Sequence, residues 1–143
     1  REPPAAQPAA GLAEQDSEQR CVIYIEDNLS NVKLVERVIK RRPNFKLLTA
    51  MQGRLGLDLV REHLPGLVLL DLDLPDIKGG EVLARMREHP RMQTIPVIVI
   101  SADATPRQID ALMKSGAHAY ITKPLNVAEL LTAIDGAFCS AAS

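Results

Sequence analysis

Five polar residues stand where short apolar runs end, and their types are complementary. Glu26 and Asp27 follow CVIYI (21–25), Asp71 lies in LVLLDL (67–72), Ser101 closes PVIVIS (96–101), and Lys123-Pro124 follow AYIT (119–122). Taken singly, each has a plain structural reading as a loop residue, a helix cap or a solvated charge. Taken together they offer three carboxylates, a hydroxyl and an ammonium. Two like charges about 4 Å apart repel by roughly 4 kcal/mol at an effective dielectric of about 20, so this net negative set should attract a small cation. Mg²⁺ prefers oxygen ligands, typically one or two carboxylates with water and a phosphoryl oxygen. One carboxylate can then act as nucleophile while Lys123 and the Ser101 hydroxyl hold the remaining phosphoryl oxygens. The set points to phosphoryl transfer onto an aspartate.

The elements that would gather these residues are legible from patterning. The four runs above and FKLLTA (45–50) read as strands, and three of them are almost continuously apolar, as expected for strands covered on both faces. Between them lie stripes at helical spacing: Val32, Val35, Val38 and Ile39; Val82, Leu83 and Met86; Ile109, Leu112 and Met113; Val127, Leu130, Leu131, Ile134 and Phe138. A weaker one comprises Leu57, Val60 and Leu64. Strand and helix alternate five times, which predicts an α/β fold with a parallel sheet, right-handed crossovers and helices on both faces. In such sheets ligands bind beyond the carboxyl ends of the strands, which is where all five polar groups fall.

Composition bounds the rest. The chain has 143 residues, 46% hydrophobic, 24% charged and 3% aromatic, with a formal net charge of -1. That is enough for one core-bearing domain. The charge argues against direct nucleic-acid binding resting on bulk electrostatics, and the few aromatics leave little to stack on bases. No apolar run approaches the length of a membrane span, so no membrane insertion of this segment is expected. Two cysteines 118 positions apart suggest neither a disulfide framework nor a metal site, which favours a reducing compartment, cytoplasmic in this reading. Residues 1–19, rich in Pro, Ala and Gln, read as a linker or tail, in which a short helix over Leu12 to Arg20 is conceivable. Residues 20–139 read as the folded domain and 140–143 as a C-terminal tail.

The blocks YIEDN (24–28), LLDLDLPDIKG (69–79), VISADA (99–104) and YITKPL (120–125) resemble the signature blocks of response-regulator receiver domains, over Cys21 to about Phe138. Their intervals agree: 44 residues from Asp27 to Asp71, 30 to Ser101 and 22 to Lys123. The resemblance implies a flavodoxin-like doubly wound sheet with strand order 2-1-3-4-5 and five helices. It also implies that Asp71 is the phospho-acceptor and that Mg²⁺ (or Mn²⁺) is held by Asp27, Asp71, the backbone carbonyl of Asp73 and, mostly through water, Glu26. Ser101 would bond the phosphoryl group in the active state, Lys123 would pair with a phosphoryl oxygen, Lys123-Pro124 would be cis, and Tyr120 would sit at the aromatic switch position. Two features are less typical of the family: the acidic pair is Glu-Asp rather than Asp-Asp, and Asp73 adds a carboxylate two residues after the acceptor.

On this resemblance the phosphoryl donor is a phosphohistidine of a histidine kinase or a phosphotransfer domain. The domain would catalyse its own phosphorylation and dephosphorylation, switching the surface of the fourth helix, fifth strand and fifth helix; a weak homodimer is a further expectation. A start without Met and the Glu-Asp-Asn-x-x-Asn pattern (Glu26 to Asn31) suggest the C-terminal receiver of a hybrid histidine kinase, cytoplasmic and tethered to a larger chain. A stand-alone single-domain regulator is the alternative context. A different chemistry, the DxD of haloacid-dehalogenase-type phosphatases, is loosely matched by Asp71 and Asp73, but there the acidic pair follows the lysine.

Smaller signals complete the reading. Pro75 and Gly79 shape the loop after Asp71, and Gly80 begins the next helix. Ala102 leaves room beside Ser101, Asn28 caps a helix N-terminus, and Gly116 is a helix C-cap of positive φ. His63, His89 and His118 show no ligand spacing. Lys40-Arg41-Arg42 reads as a solvated helix end suited to the helix dipole. Cys21 and Cys139 should lie at the end of the sheet away from the chemistry, without a structural disulfide.

Overall fold

A computed structural model of the chain describes residues 20–103 and 105–142. Five strands alternate with five helices: β1 (Arg20–Ile25), α1 (Leu29–Lys40), β2 (Phe45–Ala50), α2 (Gly53–His63), β3 (Leu67–Asp71), α3 (Gly79–Glu88), β4 (Val97–Ser101), α4 (Pro106–Lys114), β5 (Ala119–Thr122) and α5 (Val127–Ala142). All strand pairs are parallel and the order is β2-β1-β3-β4-β5, the flavodoxin-like arrangement expected. The linker and short helix expected before residue 20 lie outside the described residues, although Arg20 itself opens β1. At the other end α5 continues to Ala142, into the stretch expected as a tail.

Period-two alternation divides the strand side chains between two cores. Ile23, Ile25, Val68, Leu70, Val97 and Val99 pack with Leu57 and Val60 of α2, Val82, Leu83 and Met86 of α3, and Leu112 of α4. On the opposite face Val22, Tyr24, Leu67, Leu69, Ile98, Ile100 and Ile121 pack with Val32, Val35 and Ile39 of α1 and Leu130, Ile134, Ala137 and Phe138 of α5. Each residue of β3 and β4 is buried, which explains their unbroken apolar texture.

Three helical stripes differ from expectation. Helix α4 buries only Leu112, and Met113 is exposed, because α4 lies over the β4–β5 edge where the sheet offers a narrow surface. Val127 of α5 is also exposed. Leu64 is not in α2 but is its left-handed C-cap at φ 45°. The basic run divides as well: Lys40 closes α1, whereas the half-buried Arg42 donates to Asp135 Oδ1 of α5 at 2.5 Å and lies over the Phe45 ring. Cys21 is a half-buried free thiol, and the placement expected for Cys139 lies outside the described side chains.

Side-chain caps hold the start of several helices at the site end of the sheet. Asn28 Oδ1 accepts from Asn31 N at 3.1 Å and Thr105 Oγ1 from Gln108 N at 3.3 Å, as N-caps do. Gln52 supplies no side-chain cap to α2. Asp76, from the loop after β3, takes its place, accepting from Gly53 N at 2.7 Å and Arg54 N at 2.8 Å. These two bonds hold its carboxyl below the usual range. At the opposite end Gly116 closes α4 with φ 107°, the positive value its position required.

Candidate functional site

The carboxyl ends of β1 and β3 bring Glu26, Asp27 and Asp71 together, with carboxylate oxygens within 4.8 Å of one another. Glu26 and Asp71 are buried and Asp27 is exposed at the mouth. From the end of β5 Lys123 reaches in, its Nζ 3.2 Å from Glu26 Oε1 and 3.2 Å from Asp71 Oδ1. The Lys123-Pro124 bond is cis, as the resemblance implied.

Glu26 is the most heavily bonded member. Its Oε1 accepts from the Tyr24 hydroxyl at 2.9 Å and from Asn31 Nδ2 at 3.1 Å besides facing Lys123, and its Oε2 accepts from Asn28 N at 3.3 Å. Asp71 is served differently. Its Oδ1 accepts from Asp73 N and from Lys123 Nζ, each at 3.2 Å, while Oδ2 is buried with no hydrogen-bond partner. A buried carboxylate oxygen without a donor is strongly disfavoured unless something positive or protic meets it.

The proton affinities follow from this division. Burial and the adjacent Glu26 carboxylate push the Asp71 carboxyl up to about 7, against the pull of Asp73 N–H and Lys123. Burial acts upward on Glu26 too, but the neighbouring Asp71 carboxyl, the Tyr24 hydroxyl and the Lys123 ammonium outweigh it and hold Glu26 below its ordinary value. Lys123 is pushed down by burial and raised further by the two carboxylates, so its ammonium is secured.

The other expected site residues stand around this centre. Ser101 is buried at the end of β4; its Oγ accepts from Asp103 N at 3.1 Å and its carbonyl accepts from Lys123 N at 2.9 Å. Tyr120 is half-buried on β5, and its hydroxyl donates to the Asp103 carbonyl, tying β5 to the loop before α4. Asp73 contributes its N–H to Asp71 while its side chain is exposed. The loop bearing it folds back tightly: Gly79 N donates to Leu72 O at 3.0 Å, and a Cβ on Gly79 would lie 2.6 Å from the Asp71 carbonyl oxygen.

These blocks, their order and their shared rim identify the family. A family model described as the response regulator receiver domain matches residues 22–135. The chain belongs to the response regulator receiver domain family. Among its curated relatives, the polar-differentiation response regulator DivK of Brucella anthropi is 33% identical over 115 residues, 80% of this chain and 93% of that protein. Among solved structures, the signal receiver domain of a putative Luxo repressor protein from Vibrio parahaemolyticus superposes with a TM-score of 0.80 at 27% identity, covering 86% of this chain and 92% of that one. The Mn²⁺-bound form of response regulator Rcp1 gives 0.70 at 27% identity, covering 82% and 90%.

Tyr24 and Asn31 contribute to this receiver site beyond the residues expected, and Asp76 ties the loop after β3 to the start of α2. Tyr24 left a signal: a lone tyrosine in an aliphatic strand, two residues before Glu26 and therefore on the same face. Asn31 belonged to the Glu-Asp-Asn-x-x-Asn pattern, with nothing to name its partner. The cap that Asp76 supplies spans 23 residues of sequence and left no local trace.

Proposed function

We propose that Asp71 accepts a phosphoryl group from a phosphohistidine of a histidine kinase or phosphotransfer domain. The observation that carries this reading is the asymmetry of the Asp71 carboxyl. One oxygen is tethered by Lys123 and Asp73 N–H, and the other is buried, unpartnered and beside two further carboxylates. An Asp71 oxygen attacks phosphorus as the bond to the histidine nitrogen breaks, and the electron pair leaves with the imidazole. Lys123, already at the acceptor, neutralises oxygens of the arriving group, and the Ser101 hydroxyl meets another.

The donor set suits a divalent cation, Mg²⁺ or Mn²⁺, with Asp27 and Asp71 as direct ligands, the Asp73 carbonyl as a further one and Glu26 acting mostly through water. All of these are hard oxygen donors, and the orphaned Asp71 Oδ2 is what such an ion would satisfy. When bound, the cation offsets negative charge between the acceptor and the phosphoryl group.

Phosphorylation favours the arrangement in which Ser101 engages the phosphoryl group, and Tyr120, bonded to the same β4–α4 loop, carries the change to the α4–β5–α5 surface. This is a population shift bounded by the differential contacts of Ser101 and Lys123. In our reading residues 20–139 form the receiver module, cytoplasmic and part of a hybrid histidine kinase, with a stand-alone regulator as the alternative context. Among the described residues no helix is long and apolar enough to cross a membrane.

Incubation with acetyl phosphate and Mg²⁺ tests the reading by intact mass. The expected result is one added phosphoryl mass that is labile to base and absent from Asp71→Asn. An unchanged mass, or equal labelling of Asp71→Asn, overturns it. Ser101→Ala should still gain the mass while losing most of the accompanying NMR shifts in α4 and β5.

A further inference from the structure

Tyr24 is the one polar side chain among the four fully buried residues of β1. A buried hydroxyl requires a partner. It has Glu26 Oε1, at 2.9 Å. Asn31 Nδ2 brings a second donor to the same oxygen and Lys123 Nζ a third. These three differ in one respect. Tyr24 is fixed by the strand and Asn31 by the first turn of α1, whereas Lys123 sits on a flexible stem shared between Glu26 and Asp71.

Resting on the phosphoryl-acceptor reading above, that difference assigns a task. When Lys123 turns to the phosphoryl group on Asp71, Glu26 loses a cationic partner while remaining buried. An anion stripped of its donors there would hold the lysine back. We propose that Tyr24, seconded by Asn31, is a positioning residue that keeps the Glu26 carboxylate bonded and oriented on its own, so that Lys123 is free to leave Glu26 for the phosphoryl group. This also gives a physical reason for glutamate in an acidic pair that is more typically Asp-Asp. An aspartate carboxylate would sit about 1.5 Å nearer the backbone, withdrawn from the Tyr24 hydroxyl.

A double-mutant cycle tests this, with the phosphorylation rate by acetyl phosphate measured at saturating Mg²⁺ and the half-saturating Mg²⁺ concentration measured separately. In the parent chain Tyr24→Phe should slow phosphorylation about tenfold, with a much smaller change in half-saturation. In a Glu26→Asp background the same substitution should have little effect, because the bond it removes is no longer made. A purely architectural tyrosine would slow both backgrounds equally, and that result overturns the proposal. So does a parent-like rate for Tyr24→Phe. Should Tyr24→Phe fail to fold, Asn31→Ala in the same two backgrounds completes the cycle, with the same outcomes supporting or overturning the proposal. A parent chain that takes no phosphoryl group defeats the acceptor reading, and this inference with it. A phosphorylated parent with no coupling between residues 24 and 26 defeats the inference alone.

Discussion

At the amino ends of the strands, the Arg87 guanidinium reaches from the last turn of α3 to four backbone carbonyls. It donates to Gly116 O at 2.8 and 3.2 Å, to Gln93 O and Ile95 O at 2.9 Å each, and to Met92 O at 3.5 Å. At the carboxyl ends, three carboxylates gather around one ammonium that reaches two of them, Glu26 and Asp71, and a buried oxygen of Asp71 has no donor at all. One end uses its charged group to satisfy peptide carbonyls, of which, among the described residues, only Met92 O has another donor, Ile95 N; the other concentrates like charge. The difference shows where this fold can carry an unfavourable arrangement: at the rim where a ligand will meet it, with the rest of the sheet holding that rim in place.

The sharpest way to break the contrast is to disturb the backbone under Asp71. A methyl group on Gly79 would lie 2.6 Å from the Asp71 carbonyl oxygen and 2.6 Å from Leu72 Cα, both main-chain atoms with nowhere to go. Gly79→Ala should therefore destabilise the domain by roughly 3 kcal/mol in urea unfolding and displace the acceptor loop, with Asp71 phosphorylation falling in parallel. Wild-type stability would show that the loop is free to shift.

The charge at the rim can be relieved directly. With its pKa raised from 3.8 to about 7, Asp71 binds its proton more tightly folded than unfolded. Between those values the native state holds more protons, so this group's contribution to stability falls as pH rises through the window. In EDTA, Asp71→Asn should be more stable than the parent by roughly 2 kcal/mol at about pH 8, a figure discounted for water at the mouth of the site. The gain should shrink as pH falls from about 7 and close only below the unfolded value of 3.8, where the parent carboxyl is protonated in both states. A gain independent of pH would mean that charge is not its source. Truncation at the opposite end should act with the other sign. Arg87→Ala should cost about 2 kcal/mol, with little pH dependence across the same range, because it strands carbonyls rather than charges. Arg87→Lys should recover only part, since an ammonium cannot span the same four acceptors.

How much of this was legible in sequence follows the range of the interactions. Continuous apolar runs marked β3 and β4 because both of their faces are covered, and the polar residues after each run fell on one rim because parallel strands end together. The helical stripe at Ile109, Leu112 and Met113 misled, since periodicity marks a face without saying how much sheet lies beneath it; α4, over the β4–β5 edge, has room for Leu112 alone. Nothing in the sequence around Arg87 points to its carbonyl acceptors, which lie up to 29 positions away. Nothing in the sequence around Asp76 shows that it caps a helix preceding it in the chain. The residues of the rim could be named from sequence, whereas the unequal treatment of Glu26 and Asp71 could not. That inequality depends on which donors the fold brings to each oxygen.

The finest test separates the two glycines at the start of α3. Gly80 follows Gly79 directly, yet a Cβ built on it meets nothing within 4 Å, and its φ lies outside the left-handed range. Alanine there loses less conformational freedom on folding than glycine and adds helix propensity, so Gly80→Ala should stabilise by about 0.5 kcal/mol while leaving phosphorylation as it was. The adjacent substitutions then carry opposite signs although each adds one methyl group to the same turn. If Gly80→Ala were instead as damaging as Gly79→Ala, the requirement for glycine would belong to the conformation of the whole turn. With the signs opposed, it belongs to one contact, the approach of the α3 backbone to the carbonyl of Asp71, and the rim is held where the acceptor's own main chain is packed.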